Sequence, residues 1–394
     1  MILTVVFWLL LLLLVYTYIG YGLVLWCLVK LKHLFRGQPV ENAPDYEPEV
    51  CLFVTAYNEK DYVQQKVENS FALDYPREKI QYLWVTDGSD DGTPEMLSQY
   101  SALKVLHQPE RRGKMHAMNR GMQTVTAPIV IFSDSNTLLG PQTIREMVRR
   151  FADPNVGCVA GEKRIIENSE ESAAGAGEGL YWRFESWIKK LDADLNSAVG
   201  AAGELFAVRT ELFEPVEPDT LLDDFIISLR IARKGYKIAY APEAYAQETA
   251  SFNVKEELKR KIRIAAGGVQ TLFRLRDLLN IFNYKLLSWQ YISHKVLRWT
   301  IAPISLFALY FVNLIIVLKS GNWVSVEVYT LFFYWQNFCY YVALLGWYFE
   351  NKKLRFKGFF APYYFVMINY AALAGIIRFF KGRQSVNWEK SKRA

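Results

Sequence analysis

The chain has 394 residues, 52% apolar, 15% aromatic and 22% charged, with a net charge of +6. That apolar content excludes intrinsic disorder, and the charge content, with a mean hydropathy of only +0.03, excludes a plain bundle of membrane helices. A net charge of +6 over this length gives no support to nucleic-acid binding. A soluble domain joined to several membrane spans fits all three observations.

Residues 1–29 carry no charged side chain. The apolar run exceeds the ~20 residues that cross a bilayer, and it lacks the basic start and the short apolar stretch of about 7–15 residues of a secretory signal. It is expected to be a retained anchor. Lys30, Lys32 and Arg36 follow it at once, which by the positive-inside rule puts that end in the cytoplasm.

Residues 48–275 change character. The runs VCLFVTAY, IQYLWVTD, KVLHQ and IVIFSDS read as strands, and Lys60–Leu73, Pro94–Tyr100, Lys114–Val125 and Pro141–Phe151 read as the helices between them. Apolar strands that alternate with helices predict an α/β domain, a mostly parallel sheet covered on both faces. Ligands of such sheets bind beyond the carboxyl ends of the strands. Polar clusters stand at three of those ends: Ala56-Tyr57-Asn58-Glu59, Asp87-Gly88-Ser89-Asp90-Asp91-Gly92 and Asp134-Ser135-Asn136. Neither Gly-x-Gly-x-x-Gly nor a Walker loop occurs, which disfavours a nicotinamide dehydrogenase or a P-loop ATPase. Carboxylates in place of a glycine-rich cradle suit a diphosphate held through a divalent metal. The four cysteines, Cys27, Cys51, Cys158 and Cys339, are far apart and form neither a zinc motif nor a disulfide framework.

The stretch 282–298 mixes aromatics with Lys285, His294 and Lys295. It reads either as an amphipathic helix on the cytoplasmic membrane surface or as the start of a long membrane helix. Residues 299–377 then contain three charge-free runs, Trp299–Leu318, Val328–Phe349 and Gly358–Ile377. Lys352, Lys353, Arg355 and Lys357 place the loop between the last two in the cytoplasm. The tail 378–394 is basic, yet three crossings would put it outside; either the last segment is broken, at Pro362 or Gly375, or the charge rule fails here.

The motifs VTAYNE, VTDGSDDGT, RRGKMHAMNRG, FSDSNT, GELFAVR and LLDDFIISLRIARKGYKIAYAPEAYAQE, in this order and spacing, resemble the membrane-embedded family 2 glycosyltransferases, inverting enzymes of the GT-A fold. The chain is similar to bacterial poly-N-acetylglucosamine, chitooligosaccharide and hyaluronan synthases, from the anchor through the C-terminal spans. The resemblance implies an inner-membrane, multi-pass enzyme with a cytoplasmic catalytic domain. It implies transfer of a sugar, with inversion, from a nucleotide-diphosphate donor, a UDP-sugar being expected, to a growing polysaccharide or a lipid-linked glycan. The runner-up activities are a single transfer to a lipid carrier and a catalytically silent, nucleotide-sugar-binding subunit. Membrane lipid is the remaining expected partner; nucleic acid is not one.

The resemblance also assigns roles. Asp224 corresponds to the general base, with Asp223 beside it to orient it, although two acids at a helix start would also serve the helix dipole. Asp134 opens the family's Asp-x-Asp metal motif and is expected to hold Mg²⁺ or Mn²⁺; its third position is Asn136, a departure that brings no charge. Asp87 is expected to contact the nucleoside, with Thr86 standing where the family has an earlier Asp. Lys114 is expected on a phosphate or on the donor sugar. Asn58 and Glu59 could touch the base or ribose, or cap the following helix. The run KRKIRIAAGG stands where processive members carry Gln-x-x-Arg-Trp; Arg263 matches, Arg260 replaces Gln and Ile264 replaces Trp. Arg260 and Arg263 are expected to face the departing diphosphate.

Overall fold

The computed structural model describes residues 1–36, 46–166, 173–249, 253–321, 323, 327–351 and 357–382. Lys352, Lys353 and Arg355, and the tail from 383 onward, lie outside the described residues.

One eight-stranded sheet organises the soluble domain. Its strands are β1 (Val50–Ala56), β2 (Ile80–Asp87), β3 (Leu103–Gln108), β4 (Ile129–Asp134), β5 (Leu138–Leu139), β6 (Val156–Ile166), β7 (Leu205–Arg209) and β8 (Lys237–Thr249). They lie in the order β3-β2-β1-β4-β7-β6-β8-β5. The first four pair in parallel, as their unbroken apolar runs require of strands covered on both faces. Every residue of β1 is buried. β7 runs antiparallel to both β4 and β6, β6 and β8 are parallel, and the short β5 closes the edge antiparallel to β8. Two apolar cores flank the sheet, one built on Phe53, Val85, Phe132 and Phe206, the other on Leu52, Trp84, Ile131 and Phe151. The parallel register brings Ala56, Thr86 and the end of β4 to one edge.

The expected helices form at Lys60–Phe71, Thr93–Ser98, Lys114–Met122 and Thr143–Val148, each ending two or three residues earlier than read. Two longer ones complete the domain, Ala173–Leu195 and Val254–Arg274. The second carries the run Ala265-Ala266-Gly267-Gly268, which lets it seat tightly. A Cβ on Gly267 would come 2.6 Å from Leu222, and one on Gly268 2.2 Å from Trp299.

Among the described residues, three helices are long and apolar enough to cross a membrane: Ile2–Phe35, Ile301–Ser320 and Phe359–Phe380. The middle C-terminal run forms a helix of similar length, Val328–Asn351, but Tyr334, Gln336, Asn337, Tyr340 and Tyr341 lower its hydropathy. The stretch 282–298 is divided rather than continuous. Lys285 has φ +50, π-helical turns occupy Ile292–Val296, and the chain breaks again at Thr300 before Ile301–Ser320 begins. Four of its polar side chains turn inward, Ser288, Gln290, Ser293 and His294, while Asn283 and Lys285 are exposed.

Candidate active site

The parallel strand ends, the start of the helix Asp223–Arg233 and the helix Val254–Arg274 enclose a cavity of about 300 Å³. Glu59, Lys114, Asp134, Asn136, Asp223, Asp224, Arg260 and Arg263 all line it. Asp87 instead borders a small recess next to it, with Tyr57, Arg111 and Gly113.

Lys114 ties three of these elements together. It opens its helix after Gly113 (φ +97), and its Nζ lies 3.0 Å from both Asp134 Oδ1 and Asp223 Oδ2. Burial opposes the charge on Lys114, but the two carboxylates outweigh it and hold the pKa above the ordinary lysine range. Asp134 is pushed up by burial, against Lys114 and with help from Glu204 and Asp223. Asp224 is the most displaced of the set. Burial first, then Asp223 and Glu204, raise it to about 8 against the pull of Lys114. The backbone at Gly203 lies against this carboxylate; a Cβ there would come 3.4 Å from Asp224 Oδ2. A carboxyl that prefers its proton, faces a cavity and stands beside an ionised neighbour is suited to take a proton from a bound alcohol.

The other expected residues are held in loops. Asp87 accepts hydrogen bonds from the backbone N–H of Arg112 (3.1 Å) and Gly113 (2.6 Å), so its carboxylate shapes the turn that precedes Lys114. A Cβ at Gly88 (φ +70) would meet the Arg111 backbone at 2.8 Å, so this approach requires glycine. Thr86 is fully buried, and its hydroxyl lies 2.8 Å from His107 Nδ1. Asn58 adopts φ +53 and clasps the neighbouring strand end: its Nδ2 donates to Asp90 (2.8 Å) and its Oδ1 accepts from the Asp90 N–H (3.0 Å). Glu59 takes the N-cap position of Lys60–Phe71, and its own N–H donates to Thr93 Oγ1. Arg260 forks onto Glu257 (2.9 and 3.1 Å), a carboxylate that also receives the Tyr364 hydroxyl.

Sequence reasoning missed four residues that brace this site. Lys163 is completely buried between Glu204 Oε1 and Glu248 Oε2, both at 2.6 Å. Glu248 in turn accepts from Asn136 Nδ2 at 3.2 Å. The amide at position 136 thus donates to an acid from β8, which a second aspartate could not do. Beneath the β4 loop, Lys66 is also fully buried and donates to Ser133 Oγ and the Thr137 carbonyl, both at 2.7 Å. Burial pushes Lys66 down to about 7, with Asp134 opposing. Of the four, Glu204 lies in the motif GELFAVR and Glu248 closes LLDDFIISLRIARKGYKIAYAPEAYAQE, while Lys66 and Lys163 have no local signature.

Among the described residues, no three His, Cys, Asp or Glu side chains group to hold a metal by themselves. Asp134, with the amide oxygen of Asn136 beside it, still fits Mg²⁺ or Mn²⁺, cations that are commonly bound through one or two carboxylates together with substrate phosphates.

A family model described as glycosyltransferase like family 2 matches residues 48–267. The chain belongs to glycosyltransferase family 2. It is 24% identical over 253 residues to the poly-β-1,6-N-acetyl-D-glucosamine synthase of Staphylococcus aureus strain MSSA476, covering 62% of this chain and 60% of that protein. The Staphylococcus epidermidis synthase of the same name is 23% identical over 261 residues, covering 64% and 62%. The match thus spans about three fifths of these curated relatives. Among solved structures, the mannosyltransferase PcManGT from Pyrobaculum calidifontis, in complex with GDP-Man and Mn²⁺, superposes with a TM-score of 0.69 at 20% identity, over 94% of this chain and 98% of that one. The sheet, mostly parallel and flanked by helices, is therefore GT-A-like, as the sequence predicts.

Proposed function

We propose that this family 2 glycosyltransferase is anchored in the cell membrane, with its catalytic domain in the cytoplasm. It transfers a sugar, with inversion, from a nucleotide-diphosphate donor to a hydroxyl of a glycan or lipid-linked acceptor. The observation that carries the reading is the convergence of Lys114, Asp134, Asp223 and Asp224 on one cavity wall, from three separate elements. UDP is the expected nucleotide by resemblance to the poly-N-acetylglucosamine synthases.

Each residue then has a task. Asp224 accepts the proton of the attacking hydroxyl, an alcohol that is a weak nucleophile until it loses that proton. Asp223 keeps Lys114 in place, 3.0 Å away, and its charge favours proton uptake at Asp224. Lys114 presents a positive charge to the donor's phosphates. Asp134 and Asn136 would hold the divalent cation, which when bound stabilises charge on the departing diphosphate. Arg263, which lines the cavity from the helix Val254–Arg274, neutralises the same leaving group. Asp87 sets the turn that forms the nucleoside recess.

Screening radiolabelled UDP- and GDP-sugars with the purified full chain in its membrane tests the reading. Transfer of label to a glycan or lipid product is the expected result. Binding without turnover would leave a nucleotide-sugar-binding subunit instead, whereas donor hydrolysis would exclude a silent subunit.

A further inference from the structure

The cavity has two electrical ends. Toward the sheet, Asp134, Asp223, Asp224, Glu204 and Glu248 line it and outnumber Lys114. Toward the membrane helices the sign reverses. There Lys189, Lys295 and Arg298 line the wall, and Glu185 is the carboxylate between them. Lys295 and Arg298 both contact Glu185, the latter at 3.1 Å. Lys189 is buried, has no carboxylate oxygen within 4.0 Å among the described residues, and holds its ammonium 5.3 Å from the Tyr240 ring. His294 lies between Asp192 (2.6 Å) and Glu185 (3.1 Å); Asp192 also accepts from Tyr21 and Gln290 and does not itself line the cavity. Along the lining of this end, three cations therefore stand against one carboxylate. Burial pushes Lys295 down, and the like charges of Arg298 and Lys189 add to that push against Glu185. An excess of buried charge is costly unless an opposite charge joins it.

The same end of the cavity is bordered by Tyr18, Ile368 and Ala372, which belong to two of the helices apolar enough to cross a membrane. A ligand there meets the cations Lys189, Lys295 and Arg298 together with apolar side chains of those two helices. We propose that this end binds an acceptor whose sugar is carried on a lipid through a diphosphate. The diphosphate lies at Lys189, Lys295 and Arg298, and the apolar chain runs past Ile368 and Ala372. The proposal rests on the transferase reading above and narrows its acceptor.

The chemistry distinguishes such an acceptor from a bare lipid phosphate. A phosphate oxygen is already ionised at neutral pH and needs no base, whereas Asp224 is placed as one. The nucleophile is therefore a hydroxyl, and the anion sits away from the reacting atom. In the step, the acceptor oxygen bonds to C1 of the donor sugar as the bond from C1 to the diphosphate oxygen breaks. The electron pair leaves on the nucleoside diphosphate, and the hydroxyl proton goes to Asp224.

Calorimetric titration of the full chain in phosphatidylcholine nanodiscs tests this, with saturating UDP and Mn²⁺ filling the donor site. Three probes are compared: farnesyl diphosphate, inorganic pyrophosphate and farnesol. Farnesyl diphosphate is expected to bind at least tenfold more tightly than either of the others. Lys189→Gln, which strands no ionic partner, and Arg298→Gln are each expected to weaken it tenfold or more. Equal binding of farnesol would remove the charge recognition, and equal binding of pyrophosphate would remove the lipid. Binding of farnesyl diphosphate only when UDP is left out would assign these cations to the donor and overturn the proposal. UDP binding, measured in a separate titration before any probe is added, tests the transferase reading independently.

Discussion

Replacing Asp224 by Asn removes the one carboxyl in the site whose pKa is raised to about 8, from an ordinary 3.8. The native protein then binds a proton between about pH 4 and pH 8 that the unfolded chain does not. The stability this contributes is fully present below pH 3.8 and is lost as pH rises through 8. A shift of about four units, at about 1.4 kcal/mol per unit, gives a ceiling of ~6 kcal/mol, reduced by water that enters through the cavity mouth. Asparagine is nearly isosteric and does not titrate. Asp224→Asn should therefore gain stability relative to the parent as pH rises from 5 to 8.5, while sugar transfer falls by about 10²–10⁴-fold, the usual loss for a general base. Thermal unfolding of both proteins in EDTA at the two pH values gives the first number, and radiolabel transfer with donor gives the second. Parallel shifts of melting temperature with pH would refute the burial of this charge. Retained transfer would remove Asp224 from the chemistry, and loss with Asp223→Asn alone would move the base to its neighbour.

Chelation with excess EDTA should abolish transfer and added Mn²⁺ or Mg²⁺ restore it, measured on the same product assay; undiminished turnover in EDTA would remove the metal role of Asp134. Asn136→Asp should reduce transfer, because the new carboxylate faces Glu248, and the double change Asn136→Asp with Glu248→Gln should recover it, since the donor has only been moved across the 3.2 Å contact. Lys163→Met should destabilise the protein by about 3–5 kcal/mol, because it strands Glu204 and Glu248 without their buried cation; denaturant titration reads the loss. Lys66, whose pKa is lowered to about 7, favours the folded state increasingly as pH rises from 7 to 10.5, so the stability of the parent over Lys66→Met should grow across that window.

The parallel half of the sheet was legible because β1, β2 and β4 are short apolar runs that each end on polar residues, and parallel pairing aligns those ends. The other half was not. β7 lies inside a motif, and β6 and β8 carry charged side chains that the helices and the site neutralise only in three dimensions. Lys114, Asp134 and Asp223 were legible as separate signals, but their mutual bridge was not, since 20 residues separate Lys114 from Asp134 and far more separate it from Asp223. Glu248 illustrates the limit most clearly. It lies 112 residues from Asn136, in a strand register no local pattern encodes, yet its carboxylate accepts the hydrogen bond that the amide at position 136 donates. The stretch 282–298 looked amphipathic because its polar residues alternate with aromatics; the polar side faces buried acids such as Asp192 and Glu185.

The glycine-rich helix has a mechanical consequence. Gly375, in the apolar helix Phe359–Phe380, packs against the same Val254–Arg274 helix so closely that a Cβ would come 2.9 Å from the Ala266 nitrogen and the Ile262 oxygen. Gly267, on that helix, presses on Leu222, the residue just before Asp223. The first contact is made by backbone and has no rotamers with which to absorb a displacement; the second bears on the Leu222 side chain in a tightly packed setting. With Phe359–Phe380 spanning the bilayer as proposed, a change of its tilt, the ordinary response to a thicker or thinner bilayer, would be passed through these contacts toward the aspartates. Turnover by this chain should register lipid thickness, with the two glycines as the fulcrum.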